Sequence, residues 1–196
     1  MYSIKKSIEN TIIIKKSKFI TKLYKINNIE EINNILDKLK KEYKDSTHIC
    51  YAYIFNGNEK CSDDGEPSGT AGLPILNILK KNNLTNMLAV VIRYFGGIKL
   101  GAGGLVRAYS NCVNDTLKLT DIIKLEDGYL VEIEFSYDQV KLVDYILNNK
   151  TIINKEYNDN ILYKFYLNKD ELNFISELEK VVIHVSIKDK VLIEKD

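Results

Sequence analysis

The chain has few of the residue types that usually carry chemistry: two histidines, three cysteines and two arginines in 196 residues. His48 is the only histidine of the first two thirds, and Ser68 does not stand in G-x-S-x-G, so a serine nucleophile with a histidine base would depend on that one ring. His184 alternates within an apolar stretch and reads as structural. Cys50, Cys61 and Cys112 are an odd set without framework spacing, which reads as reduced thiols. No C-x-x-C or H-x-x-x-H pair joins them. His48, Cys50, Cys61 and Asp63 are therefore set aside as a metal cluster, and neither metal nor other cofactor is expected. No run approaches the roughly 18 to 20 uncharged apolar residues of a spanning helix. The N-terminus also lacks a long apolar region and a small-residue cleavage site, so the expectation is a soluble, cytoplasmic protein without membrane contact. G-x-x-x-x-G-K-[ST] is absent, and from Gly101 the third position of G-x-G-x-x-G is Val106, which leaves nucleoside triphosphate binding unsupported.

What is present is 45% hydrophobic and 28% charged residues, enough for a buried core in one large domain or two small ones. The net charge of +1 hides an asymmetry: residues 1–125 carry 19 basic and 12 acidic side chains, and residues 126–196 carry 9 and 15. A basic first half suits a polyanion such as RNA, and lysine-rich solvated helix faces give the same balance without a partner.

TIIIKKSKFITKLYKI reads as strand material, and Ile29 to Tyr43 places Ile32, Ile35, Leu36 and Leu39 at helical spacing. ICYAYIF reads as a strand ending at the Asn56-Gly57 turn, followed by a long polar loop, NGNEKCSDDGEPSG. A short helix, TAGLPILNILKK, follows, with Thr70 as its expected cap and Pro74 in its first turn. MLAVVIRYF reads as a buried strand, GGIKLGAGG as a loop, and LVRAYSNCVNDTLKL as a helix. Nine of the ten glycines lie between Gly57 and Gly104. Beyond Leu119 glycine almost vanishes and the chain turns acidic, which puts a boundary near residues 120–128 and gives domains of 1–124 and 125–196. The second reads as strand Tyr129–Phe135, helix Asp138–Asn148, strands Ile152–Tyr157 and Ile161–Leu167, helix Lys169–Leu178 and strand Val181–Ile187. That is the β-α-β-β-α-β, ferredoxin-like order.

Two glycine segments hold the candidate site. In GGIKLGAGGLVR, a loop between strand and helix is the geometry in which backbone N–H groups and the helix dipole meet an anion. Lys99 lies in that loop, and Arg93 and Arg107 flank it. Against 26 lysines, these are the only two arginines, and arginine offers a planar five-donor fork. Arg93, Lys99, Gly101, Gly103, Gly104 and Arg107 are the candidate anion or nucleic-acid contacts; the same glycines also suit a tight turn and close packing. SDDGEPSG carries Asp63, Asp64 and Glu66. Their carboxylates permit acid/base work, or they cap turns and pair with Arg93 or Arg107, the favoured reading. No residue is nominated as catalytic. Tyr94 and Tyr109 beside the glycine loop are stacking candidates or ordinary packing.

HICYAY, CSDDGEPSGTAGLPIL and AVVIRYFGGIKLGAGGLVRAYS together resemble the signature of the YigZ/IMPACT family, over roughly residues 16–119. The family motif falls on His48, Asp63, Asp64, Gly65, Glu66 and Thr70 of the acidic segment and on the contacts named above. The resemblance implies a first domain similar to ribosomal protein S5 domain 2 and a ferredoxin-like second domain, an order similar to domains IV and V of elongation factor G. It also implies a role in translation, since the eukaryotic members act in translational control. They do so with an additional RWD domain absent from these residues, so their partner is not carried over. The resulting expectation is an α+β, non-enzymatic protein that binds RNA or the ribosome, with a possible protein partner for the second domain. The alternatives are an enzyme holding an anionic small molecule between facing acidic and basic loops, and a protein-interaction scaffold.

Overall fold

The computed structural model describes residues 1–194, which fall into two compact units, one of Met1–Lys124 and one that begins at Leu125. In chain order the first unit holds β1 (Tyr2–Ile4), β2 (Ile8–Ile14), β3 (Ser17–Lys25), α1 (Ile29–Glu42), β4 (His48–Phe55), β5 (Asn58–Ser62), α2 (Gly72–Lys81), β6 (Met87–Tyr94) and α3 (Ala102–Leu117). β7 (Ile122–Phe135) follows, and its first three residues pair with β1.

The first unit is built on an antiparallel sheet in the order β2-β3-β6-β4-β5. β6 is its centre, and Met87 to Arg93 are all buried because helices cover both faces. α1 sets Ile32, Leu36 and Leu39 against Leu88, Val90 and Ile92. α2 and α3 set Ile75, Leu79, Leu105 and Tyr109 against Phe19, Ala89 and Val91. Alternate residues of MLAVVIRY thus face alternate layers, and each fully buried aliphatic side chain contributes about 1.5–3 kcal/mol. α1 is capped by Asn28, whose side chain accepts the Glu31 N–H at 3.0 Å.

One end of this sheet collects the candidate segments. β3 enters opposite the exit of β6, with Lys18 facing Tyr94, and β4 enters there too, with His48 facing Arg93. Ser62, where β5 leaves, faces Tyr51 of β4. The two-residue turn Lys15-Lys16 is at the same end, because Ile14 faces Ser17 across it.

The second unit continues β7 through α4 (Val140–Ile146), β8 (Ile152–Tyr157), β9 (Ile161–Asn168), α5 (Asn173–Leu178) and β10 (His184–Glu194). Its antiparallel sheet runs β10-β7-β9-β8, which with the β-α-β-β-α-β order is ferredoxin-like. Val131, Ile133, Phe135, Ile161, Tyr163 and Phe165 alternate into its core, with the Phe135 and Tyr163 rings edge-to-face at 4.8 Å.

The structure corrects several element bounds. The stretch read as strand material holds two strands, β2 and β3, and β2 starts earlier, at Ile8. The loop after Gly57 contains β5, whose polar residues suit a strand with a single neighbour at the sheet edge. α3 begins at Ala102 and so takes in Gly103 and Gly104, and the last strand starts at His184 and runs to Glu194. No helix of the described residues is long and apolar enough to cross a membrane.

Candidate functional site

The segment between β5 and α2 folds around its own carboxylates. Asp63 accepts the backbone N–H groups of Gly69, Ala71 and Gly72 at 2.9, 3.0 and 2.8 Å, which closes the loop and caps α2 from a distance. Burial alone would raise the Asp63 carboxyl, but these three donors outweigh it and hold it below the usual carboxylate range. Thr70, the expected cap, is not one: its hydroxyl donates to the Pro67 carbonyl at 2.6 Å. Asp64, with Gly65 after it in a left-handed turn (φ +44° and +84°), accepts the Ile49 N–H at 2.6 Å. The Asp64 carbonyl takes the Nδ1–H of His48 at 2.8 Å, leaving Nε2 of that ring 3.8 Å from Glu66 Oε2.

Glu66 and Arg93 form a buried pair, 7% and 5% exposed. Glu66 Oε1 accepts Arg93 Nη1 at 2.6 Å and the Tyr109 hydroxyl at 2.7 Å. Arg93 Nη2 donates to Ser17 Oγ at 3.3 Å, and its guanidinium stands 5.4 Å from the Phe19 ring and 5.5 Å from the Phe95 ring. Tyr109 packs edge-to-face on Phe19 at 5.5 Å. Burial first, then Cys50 and Glu66, raise its phenol, so it stays protonated and donates. The Cys50 thiol donates to the Asp63 carbonyl at 2.9 Å. Burial, followed by the charges of Glu66, Asp64 and Asp63, pushes it up to about 12. The sequence left open whether the carboxylates pair with Arg93 or Arg107; the geometry chooses Arg93, and turns it away from solvent.

The segment after β6 is held at its root and open beyond it. Phe95 N–H donates to Thr47 Oγ1 at 2.9 Å, and Gly96 N–H to Ser17 Oγ at 3.1 Å. A Cβ on Gly96 would stand 2.1 Å from the Lys16 carbonyl, so only glycine lets this loop lie on the β2–β3 turn. α3 starts after Gly101 (φ +71°) with no side-chain cap and no acid in its first turn. The N–H groups of Ala102, Gly103 and Gly104 therefore sit at the positive end of the helix without helical acceptors. Arg107 lies one turn on, its Nη1 3.8 Å from where a Gly103 Cβ would stand.

The β2–β3 turn adds cations that the sequence reading missed. Lys15 and Lys16 hold φ of +45° and +65°. That is the type I′ pattern, at home with Asn-Gly; for other side chains a left-handed residue costs roughly 1–2 kcal/mol. The signal in the sequence was KKSK breaking two apolar runs. Lys15, Lys16, Lys18, Lys99 and Arg107 are all exposed, and among the described residues none is ion-paired. Lys18 stands 5.8 Å from the Tyr94 ring. A cavity of about 310 Å³ in the first unit, lined by Tyr2, Asn82, Asn114 and neighbours, takes no residue from either glycine segment.

These segments also carry the likeness to known proteins. The family model of the Impact N-terminal domain matches residues 15–117, from the lysine turn to the end of α3. The chain belongs to the IMPACT family. It is 38% identical over 181 residues to the IMPACT family member YvyE of Bacillus subtilis, covering 90% of this chain and 83% of that protein. To the IMPACT family member YigZ of Escherichia coli it is 34% identical over 161 residues, 79% of each. A crystal structure of a hypothetical protein is similar over 91% of both chains, with a TM-score of 0.69 and 30% identity, so the likeness includes residues of both units.

Proposed function

We propose that the protein is a non-enzymatic regulator of translation that binds RNA, free or on the ribosome, through the exposed cations at one end of its first sheet. Lys15, Lys16, Lys18, Lys99 and Arg107 contact phosphate, together with the open amides of Ala102, Gly103 and Gly104. The observation that carries this reading is the sorting of charge at that end. Every carboxylate of the acidic segment is engaged by backbone N–H groups, Arg93 or Tyr109. The exposed cations are left unpaired, which is the electrostatic footprint of a polyanion site. Family membership supports a translational setting, in line with the role the resemblance implies. Arg93, nominated from sequence as a phosphate contact, acts here through the fold. The second unit supplies orientation or a protein contact, for which the exposed Leu142 and Tyr145, one turn apart on α4, are the candidates.

Co-sedimentation with ribosomes at low and high salt tests this. The wild type pellets with ribosomes at low salt and is released at high salt, and a Lys15/Lys16/Lys99/Arg107→Ala variant stays in the supernatant while melting like the wild type. Absent binding, or binding indifferent to salt, contradicts the reading.

A further inference from the structure

We infer that Phe95 is a stacking platform for an unpaired base, so that the nucleic acid this face selects is single-stranded; this rests on the RNA reading above. Phe95 follows β6 directly, next to Gly96, whose backbone lies on the β2–β3 turn, and four residues before Lys99; 46% of its surface is open to solvent. Phe95 is the one aromatic ring of the segment between β6 and α3, and with Ile98, 41% exposed, it is turned outward rather than packed into the core. Inward, it is held with care. Its N–H is tied to Thr47, the next N–H is tied to Ser17, and Gly96 presses on the Lys16 backbone. The ring rests 5.5 Å from the Arg93 guanidinium, which has Phe19 at 5.4 Å and is locked by Glu66 and Ser17.

This stack gives the buried arginine a purpose. A planar guanidinium fits between two rings and keeps donors in its plane for Glu66 and Ser17, which a lysine ammonium does not do. Arg93 is then a positioning residue: it fixes the ring, and the ring meets the base. A fixed aromatic ring flanked by cations is the arrangement that binds single strands without strong sequence preference, bases on the ring and phosphates on the cations. A duplex hides its base faces within its own stack and offers Phe95 nothing comparable.

The chain contains no tryptophan, so Phe95→Trp places a single indole at the platform. Titration with a short oligouridylate is expected to quench that indole, whereas a duplex of equal length leaves it bright. Phe95→Leu is expected to weaken the single strand about tenfold and duplex RNA less than twofold, with an unchanged melting temperature. Three outcomes overturn the inference. If labelled oligouridylate binds by anisotropy but the indole stays bright and Phe95→Leu binds as well as wild type, stacking falls and the RNA reading stands. If neither RNA binds but Phe95→Leu loses ribosome co-sedimentation, Phe95 anchors a protein, and only the ribosome reading stands. If wild type binds neither RNA nor ribosomes, both fall.

Discussion

Between β5 and α2 the chain carries three carboxylates within four residues, and Asp63, Asp64 and Glu66 each accept hydrogen bonds from the protein itself. Between β6 and α3 it carries Lys99 and, one turn into the helix, Arg107, and both face solvent unpaired. The formal charge of a segment therefore does not give the charge of its surface. In the first segment the charges hold the loop closed; in the second the backbone does that work, through Thr47, Ser17 and the Gly96 contact, and the charges are left for a partner.

The largest expected effect follows from breaking the buried pair. Glu66→Ala strands Arg93 without its carboxylate and removes the acceptor of Tyr109, so denaturant melts should show a loss of about 3–5 kcal/mol, whereas Lys99→Ala shows less than about 0.5. A loss below about 1 kcal/mol for Glu66→Ala would place the pair in contact with water. Next is Asp63→Asn, which weakens three charge-assisted hydrogen bonds and should lose about 1.5–3 kcal/mol. The Asp63 carboxyl lies below its ordinary value of 3.8 in the fold, so its stabilisation is complete above that value and disappears as pH falls through the lower one. Acid melts of the wild type should steepen below about pH 4, and those of Asp63→Asn should be flatter there.

The lysine turn sharpens the comparison in the other direction. Replacing Lys15-Lys16 by Asn-Gly relaxes two left-handed residues and should raise stability by about 1 kcal/mol while weakening RNA binding. If both properties improve, the strained lysines have no part in binding. The smallest effect concerns the thiols. Cys50 and Cys112 are buried and each is pushed up to about 12, primarily by burial, while Cys61 is half-buried. A thiol reagent at neutral pH should label Cys61 alone in the native protein and all three in denaturant.

Much of the fold was legible because its signals are local. MLAVVIRY is apolar throughout because both its faces are covered, and Ile32, Leu36 and Leu39 mark α1 by their spacing. The βαββαβ order of the second unit could be read one element at a time. β1 was too short to stand out, and β5 shows NEKCS at a sheet edge where no alternation is required. The strand read as starting at Tyr129 is the second half of β7, which runs from Ile122 through Gly128, where a Cβ would meet Leu167 and Ile193 within 3 Å. The candidate segments were found, and the favoured inward direction of the carboxylates agrees with the structure, but their partners were left open. The pairing depends on Asp63 reaching N–H groups six to nine residues ahead and on Glu66 meeting an arginine 27 residues away. Spacing along the chain does not encode either.

The most direct test compares the two arginines. RNA affinity is measured over a salt series for wild type, Arg107→Ala and Lys99→Ala, with Arg93→Lys followed in parallel by melting. The expected result is a steep fall of affinity with salt and a slope shallower by roughly 0.7–0.9 for each exposed cation removed, with Arg93→Lys acting first on stability. Unchanged slopes for Arg107→Ala and Lys99→Ala would contradict the assignment of the outward cations to phosphate.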